Sequence, residues 1–97
     1  MATYIALVDY TEQGIRNIQD SPKRSDAFMR QAEEAGIKIK DIYWTVGDHD
    51  GVVVLEAPDD IAASALMLSL SKGGNVRTRT LRAFGRAEME QILSKTS

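Results

Sequence analysis

The chain has 97 residues, the length of one domain, with 43% hydrophobic and 27% charged side chains, an ordinary balance for a globular protein. Its formal net charge of −2 offers no bulk attraction to nucleic acid or to an anionic membrane surface. Cysteine is absent, which excludes disulfide frameworks, thiolate nucleophiles and cysteine-ligated metals. Residues 1–8 reach Asp9 without a basic leader and are too short to span a bilayer, so a cytoplasmic protein with no membrane partner is expected.

Residues 3–10 are β-branched, aromatic and aliphatic and predict a strand. Tyr4, Ala6 and Val8 alternate with Ile5 and Leu7, so both faces of this strand are apolar. Over residues 11–20 the spacing of Ile15 and Ile18 supports a short helix. Ser21 as a cap and Pro22 at the first helical position start a second helix, which runs to Ala35 with Ala27, Phe28, Gln31, Ala32 and Ala35 on one stripe. Gly36 suits the position just past its end. Residues 37–46 predict a strand with Ile39, Tyr43 and Thr45 opposing Ile42, Trp44 and Val46. Gly47, Asp48, His49 and Asp50 form a turn, and residues 51–57 return as the second arm of a hairpin that Pro58 ends. Asp59 or Asp60 caps a helix over residues 61–72. This helix has no charge between Ile61 and Ser71, where a surface helix normally has a polar face, so a second subunit is expected to cover part of it. Beyond Gly73 and Gly74, residues 76–84 predict a fourth strand. Residues 85–95 predict a short helix with Met89, Ile92 and Leu93 as its inner stripe.

The order β-α-β-β-α-β-α begins with the split βαβ pattern of the ferredoxin-like α+β fold: a four-stranded antiparallel sheet with helices on one face, here with an extra C-terminal helix. Residues 1–97 form a single such domain. Its strands are apolar on both faces, so the open face is expected to pack on the same face of a second copy. The predicted assembly is a dimeric α/β barrel, a homodimer or a larger homo-oligomer.

Several segments carry a family resemblance: Thr3-Tyr4-Ile5, Thr11-Glu12-Gln13-Gly14-Ile15 with Ser21-Pro22, Tyr43-Trp44-Thr45 with Gly47 and Asp50, Glu56-Ala57-Pro58-Asp59-Asp60, and Gly74-Asn75-Val76-Arg77-Thr78 with Leu81-Arg82-Ala83-Phe84. Through these the chain resembles the GYD-domain family of small bacterial and archaeal proteins over nearly its whole length. The resemblance implies the ferredoxin-like, dimeric α/β-barrel type of fold and no particular activity. The chain departs from the family at His49, which stands where the tyrosine of the glycine-tyrosine-aspartate signature is usual, and so brings in an imidazole in place of a phenol.

Candidate site residues fall into three groups. His49, Asp9 and Asp50 are the candidates for acid–base chemistry, although Gly47, Asp48, His49 and Asp50 equally suit a plain hairpin turn with Gly47 at positive φ. A metal is not expected, because His49 is the only histidine and a resident ion needs three or four protein ligands. Between Asp60 and Glu88 lie Lys72, Arg77, Arg79, Arg82 and Arg86 and no acid. Arg77 and Arg79 share a strand face, Arg82 takes the other, and the pair either blunts a sheet edge or receives a small anionic ligand. Should Arg77 or Arg79 face an enclosed space, it would need Asp9, another acid or a ligand beside it. Tyr43 and Trp44, on opposite faces, complete the ligand-binding candidates. A nucleic-acid platform is not expected, since the arginines have no aromatic run interleaved with them. Phosphate-binding loops, dinucleotide fingerprints and nucleophile elbows are missing, so no cofactor is expected. Two functions fit: an oligomeric module binding a small anionic ligand, or a cofactor-independent enzyme of monooxygenase, isomerase or cyclase type with a small organic substrate in the barrel cavity.

Overall fold

A computed structural model describes residues 1–97. Four strands, β1 (Ala2–Tyr10), β2 (Lys38–Trp44), β3 (Gly51–Ala57) and β4 (Val76–Ala83), form one antiparallel sheet in the order β2-β3-β1-β4. The helices are α1 (Glu12–Arg16), α2 (Ser21–Glu34), α3 (Asp60–Lys72) and α4 (Arg86–Ser94), with a 3-10 turn at Ile18–Asp20 before α2. This is the ferredoxin-like arrangement expected from the element order. None of these helices is long and apolar enough to cross a membrane.

The core lies between the sheet and helices α2 and α3. Tyr4 and Ala6 of β1 and Val53, Leu55 and Ala57 of β3 are buried there with Phe28 and Ala32 of α2 and Ala63, Leu66 and Met67 of α3. Of the expected α2 stripe, Phe28 and Ala32 enter the core, whereas Ala27, Gln31 and Ala35 stay exposed because the helix has only one covered edge. Asp59 caps α3 by accepting from the Ala62 N–H at 2.9 Å. Tyr4 adds a long-range tie: its hydroxyl donates to the Asp60 carboxylate, and that bond holds the phenol above its ordinary pKa of 10.0.

Two sequence motifs meet at the far end of β1. The Thr11 N–H donates to the Asn75 carbonyl at 3.0 Å, and its hydroxyl donates to the Gly74 carbonyl at 2.6 Å. Gln13 Nε2 reaches the Gly73 carbonyl at 3.1 Å. A Cβ on the buried Gly14 would sit 1.9 Å from the Asn75 carbonyl oxygen, so only glycine permits this approach. The Thr11–Gly14 segment and the Gly73–Asn75 segment are therefore two halves of one contact.

Three local expectations change. A bulge at Lys40 inserts an extra residue into β2, so Ile39 pairs with Leu55, Ile42 with Val53 and Trp44 with Gly51. Ile39 thus shares the helix-side face with Ile42 and Trp44, and not the face of Tyr43. Ser21 does not cap α2, and the Asp20 that stands at the cap position makes no side-chain cap either. Ser21 Oγ instead bonds the Tyr10 hydroxyl at 2.8 Å and accepts from Trp44 Nε1 at 3.0 Å, tying α2 to two strand ends. Finally, Met89, Ile92 and Leu93 of α4 are not an inner stripe: they are 45%, 36% and 55% exposed. Helix α4 is anchored only at its start, where Glu88 accepts from Arg82 Nη2 at 3.1 Å and from the Gly85 N–H at 3.3 Å. The radius of gyration of 14.6 Å exceeds the ~12.5 Å of a compact chain of this length, as a projecting helix requires.

Candidate functional site

Strand alternation gives the sheet a second face with no helix over it. Register places Leu81, Ile5 and Val54 in one row and Arg79, Leu7, Val52 and Tyr43 in the next. Ile5, Leu7, Val52 and Val54 are half-buried, while Leu81 and Tyr43 are exposed. Arg77 lies in the following row opposite Asp9. The expectation that Arg77 and Arg79 share a face holds, and β4 is indeed a sheet edge. Neither arginine forms an ion pair within the chain, whereas Arg82, on the other face, pairs with Glu88 and stacks over the Phe84 and Tyr4 rings at 4.5 and 5.7 Å.

The hairpin turn closes over the end of β1. The Asp50 N–H donates to the Val8 carbonyl at 2.9 Å, and Asp50 Oδ2 accepts from the Tyr10 N–H at 2.9 Å. The Thr45 N–H and hydroxyl donate to the Asp50 and His49 carbonyls at 2.9 and 2.6 Å. Gly47 adopts φ +139°, the conformation expected of it in the turn. This packing brings two of the three acid–base candidates together and separates the third. His49 Nδ1 lies 3.2 and 3.3 Å from the two Asp9 oxygens, in a partly covered pair, whereas Asp50 is occupied by backbone. A carboxylate on Nδ1 orients an imidazole and leaves Nε2 to exchange a proton. Nowhere do three His, Asp or Glu side chains gather as a metal site.

On the helix side, a cavity of about 250 Å³ opens between α2, α3 and the strand ends. Phe28, Ile42, Val53, Leu70 and Val76 form apolar wall, and Ser21, Trp44 and Asp50 stand around it. Trp44 and Tyr43 both border this cavity, although by register the Tyr43 side chain belongs to the open face, with its hydroxyl 3.5 Å from Asp41 Oδ1 on that same face. One residue here escaped the sequence reading. Arg24 also lines the cavity; its Nη1 donates to the Asn17 carbonyl at 2.9 Å, and its buried Nη2 has no partner. The signal was the α2 stripe itself, which extended one turn back from Phe28 passes through position 24.

Comparison with known proteins places these features in a family. The family model described as the GYD domain matches residues 4–93. The "glutamine synthetase and cystathionine beta-lyase binding protein" of Thermus thermophilus is 31% identical over 90 residues, covering 92% of this chain and 95% of that protein. Among solved structures, a feast or famine regulatory protein from M. tuberculosis complexed with L-methionine superposes with a TM-score of 0.67 at 15% identity over 88% of this chain; the match spans 51% of the regulator's length. A 5-chloro-2-hydroxyhydroquinone dehydrochlorinase from Burkholderia phenoliruptrix superposes with a TM-score of 0.62 at 16% identity, covering 91% of this chain and 99% of that one. At such identities the two structures establish a shared fold and nothing further. The family match, spanning nearly the whole chain, goes further: this protein belongs to the GYD-domain family.

Proposed function

We propose that the protein is a cytoplasmic homo-oligomeric binding module that pairs the open faces of two sheets and holds a small anion beside Arg77 and Arg79. The observation behind this reading is the uncovered apolar patch of Ile5, Leu7, Val52, Val54 and Leu81, drawn from three adjacent strands. Burying such a patch yields roughly 25 cal/mol per Å², and a second copy of the same face is self-complementary by symmetry. Once covered, Arg77 and Arg79 would sit at the edge of an enclosed space with only Asp9 opposite Arg77, and an uncompensated guanidinium there calls for an anion. The description of the Thermus relative as a binding protein supports a module that works by contact. Light scattering and native mass spectrometry test the reading. The wild type is expected to be a dimer or a multiple of one, and Val54→Glu a folded monomer by circular dichroism. A monomeric wild type would refute the pairing.

A second reading rests on the Asp9–His49 pair, which has the arrangement of an oriented general base. In that reading the barrel encloses a small organic substrate and the protein is a cofactor-independent enzyme. His49→Gln would abolish turnover in a substrate screen while leaving oligomer size unchanged; equal turnover by the two proteins would remove His49 from the chemistry.

A further inference from the structure

The open sheet face carries an unpaired cation on one edge and a receiver for a cation on the other. Arg79 stands on β4, exposed and without an ion pair in its own chain. On β2, Tyr43 is 58% exposed, and its hydroxyl lies 3.5 Å from Asp41 Oδ1. An aromatic ring beside a carboxylate suits a guanidinium, which stacks on the one and bonds the other. Arg79 and Tyr43 share one row across the sheet, but β1 and β3 stand between their strands. Three strand spacings are about 14 Å. Within one chain the guanidinium meets neither the Tyr43 ring nor the Asp41 carboxylate.

The pairing of open faces proposed above can join the edges in two limiting ways. With β4 over the partner's β4, Arg77 and Arg79 of both copies would line one seam to which β4 brings no acid. With a two-fold axis along the strands, each β4 lies over the partner's β2 and the rows stay in step. Arg79 then comes over the partner's Tyr43, the residue of its own row, with the partner's Asp41 one row on. Lys38, also on β2, is two rows away beside Glu56. Packed sheets stand about 10 Å apart, a gap that an arginine and a tyrosine can bridge together. We propose that the dimer is set in this second way, Arg79 of each copy being held by Tyr43 and Asp41 of the other. This rests on the pairing of open faces and sharpens its anion site, because Arg77 is left as the cation that a small anion meets.

Charge reversal tests the contact, read by native mass spectrometry and by dilution in size-exclusion chromatography, with folding checked by circular dichroism. Arg79→Glu and Asp41→Arg are each expected to weaken the dimer at least about tenfold, and the double variant Arg79→Glu/Asp41→Arg to restore it to within a few fold of wild type. Positions 79 and 41 are too far apart to interact in one chain, so restoration reports a contact between copies. The chain has no cysteine, so introduced thiols are unique. With a short bismaleimide, Arg79→Cys/Tyr43→Cys is expected to give a covalent dimer and neither single variant to do so; this holds whatever the reversed charges do to folding. A dimer indifferent to both single reversals would overturn the contact and assign Arg79 to the anion alone. A double variant no better than its parents, or cross-linking of Arg79→Cys by itself, would overturn it too. In each of these cases a dimer that Val54→Glu still breaks keeps the pairing of faces, whereas a monomeric wild type removes both.

Discussion

The two faces of this sheet are built from alternate residues of the same strands, yet they end in different surroundings. On the helix side, Tyr4, Ala6, Val53, Leu55 and Ala57 are sealed under α2 and α3. On the other side, Ile5, Leu7, Val52 and Val54 keep partial exposure and are bordered by Arg77, Arg79, Asp9 and Asp41. Both sets are aliphatic enough to be core, so hydrophobicity alone does not separate them. The covered face includes the small, fully buried Ala6 and Ala57, whereas the open face is Ile, Leu and Val at its centre with Tyr43 and charges at its margin. That apolar patch with a charged border is what the proposed pairing of two sheets would cover.

That contrast can be broken at graded cost. The largest effect is expected on α3, which repeats it in miniature: Leu66 is 3% exposed and Leu68 70%. Leu66→Lys buries an unpaired charge and should leave the chain unfolded by circular dichroism, while Leu68→Lys should melt normally and reveal by oligomer size whether this bare flank is also covered. Next comes Leu55→Ala, at a fully buried position, with an expected loss of about 2–5 kcal/mol in urea unfolding. Gly14→Ala drives a methyl into the Asn75 carbonyl and is expected to lose about 1–3 kcal/mol, separating the two motifs that meet there. Val54→Ala should cost less than about 1.5 kcal/mol in a monomeric background, because its side chain is only half-buried; a loss as large as that of Leu55→Ala would mean that the two faces are equivalent.

The smallest effect is electrostatic. Hydrogen bonds from Arg82, and then from the Gly85 N–H, hold the Glu88 carboxyl below its ordinary 4.5. A depressed folded pKa stabilises above the unfolded value and loses that contribution as the pH falls through the folded one. The wild type should therefore lose slightly more melting temperature than Glu88→Gln on acidification from about pH 6 to pH 3, with α4 fraying first in hydrogen exchange. Identical acid profiles would show that the Arg82–Glu88 contact does not hold the start of α4.

Much of the architecture was legible in advance, and the reasons are local. Strand alternation in β1 and β3, the Asp59 cap and the Pro58 break each act within a few residues, so the element order and the ferredoxin-like sheet could be read in sequence. The misjudged details all depend on what lies alongside. The Lys40 bulge depends on the partner strand β3, and it reassigns Ile39 to the other face. The stripe of α4 has the right spacing for a core and meets no core, because the chain turns outward after Ala83. Ser21 has the chemistry of a cap but is nearer to Tyr10 and Trp44 than to a free amide of its own helix.

By itself, the sequence determined the fold class, the apolar character of both sheet faces, the arginines shared by one face of β4 and the glycine that the hairpin turn requires. All of these follow from periodicities and torsional preferences that neighbouring residues express. Only the tertiary structure decided that Asp9 and His49, 40 positions apart, would pair while Asp50 turned to backbone. It likewise decided that Gly14 would lie against Asn75 and that Arg24 would border an apolar cavity with a nitrogen left unbonded. These pairings depend on the crossing of distant segments, where distances of a few ångströms are set by the packing of the whole core and not by any one stretch of chain.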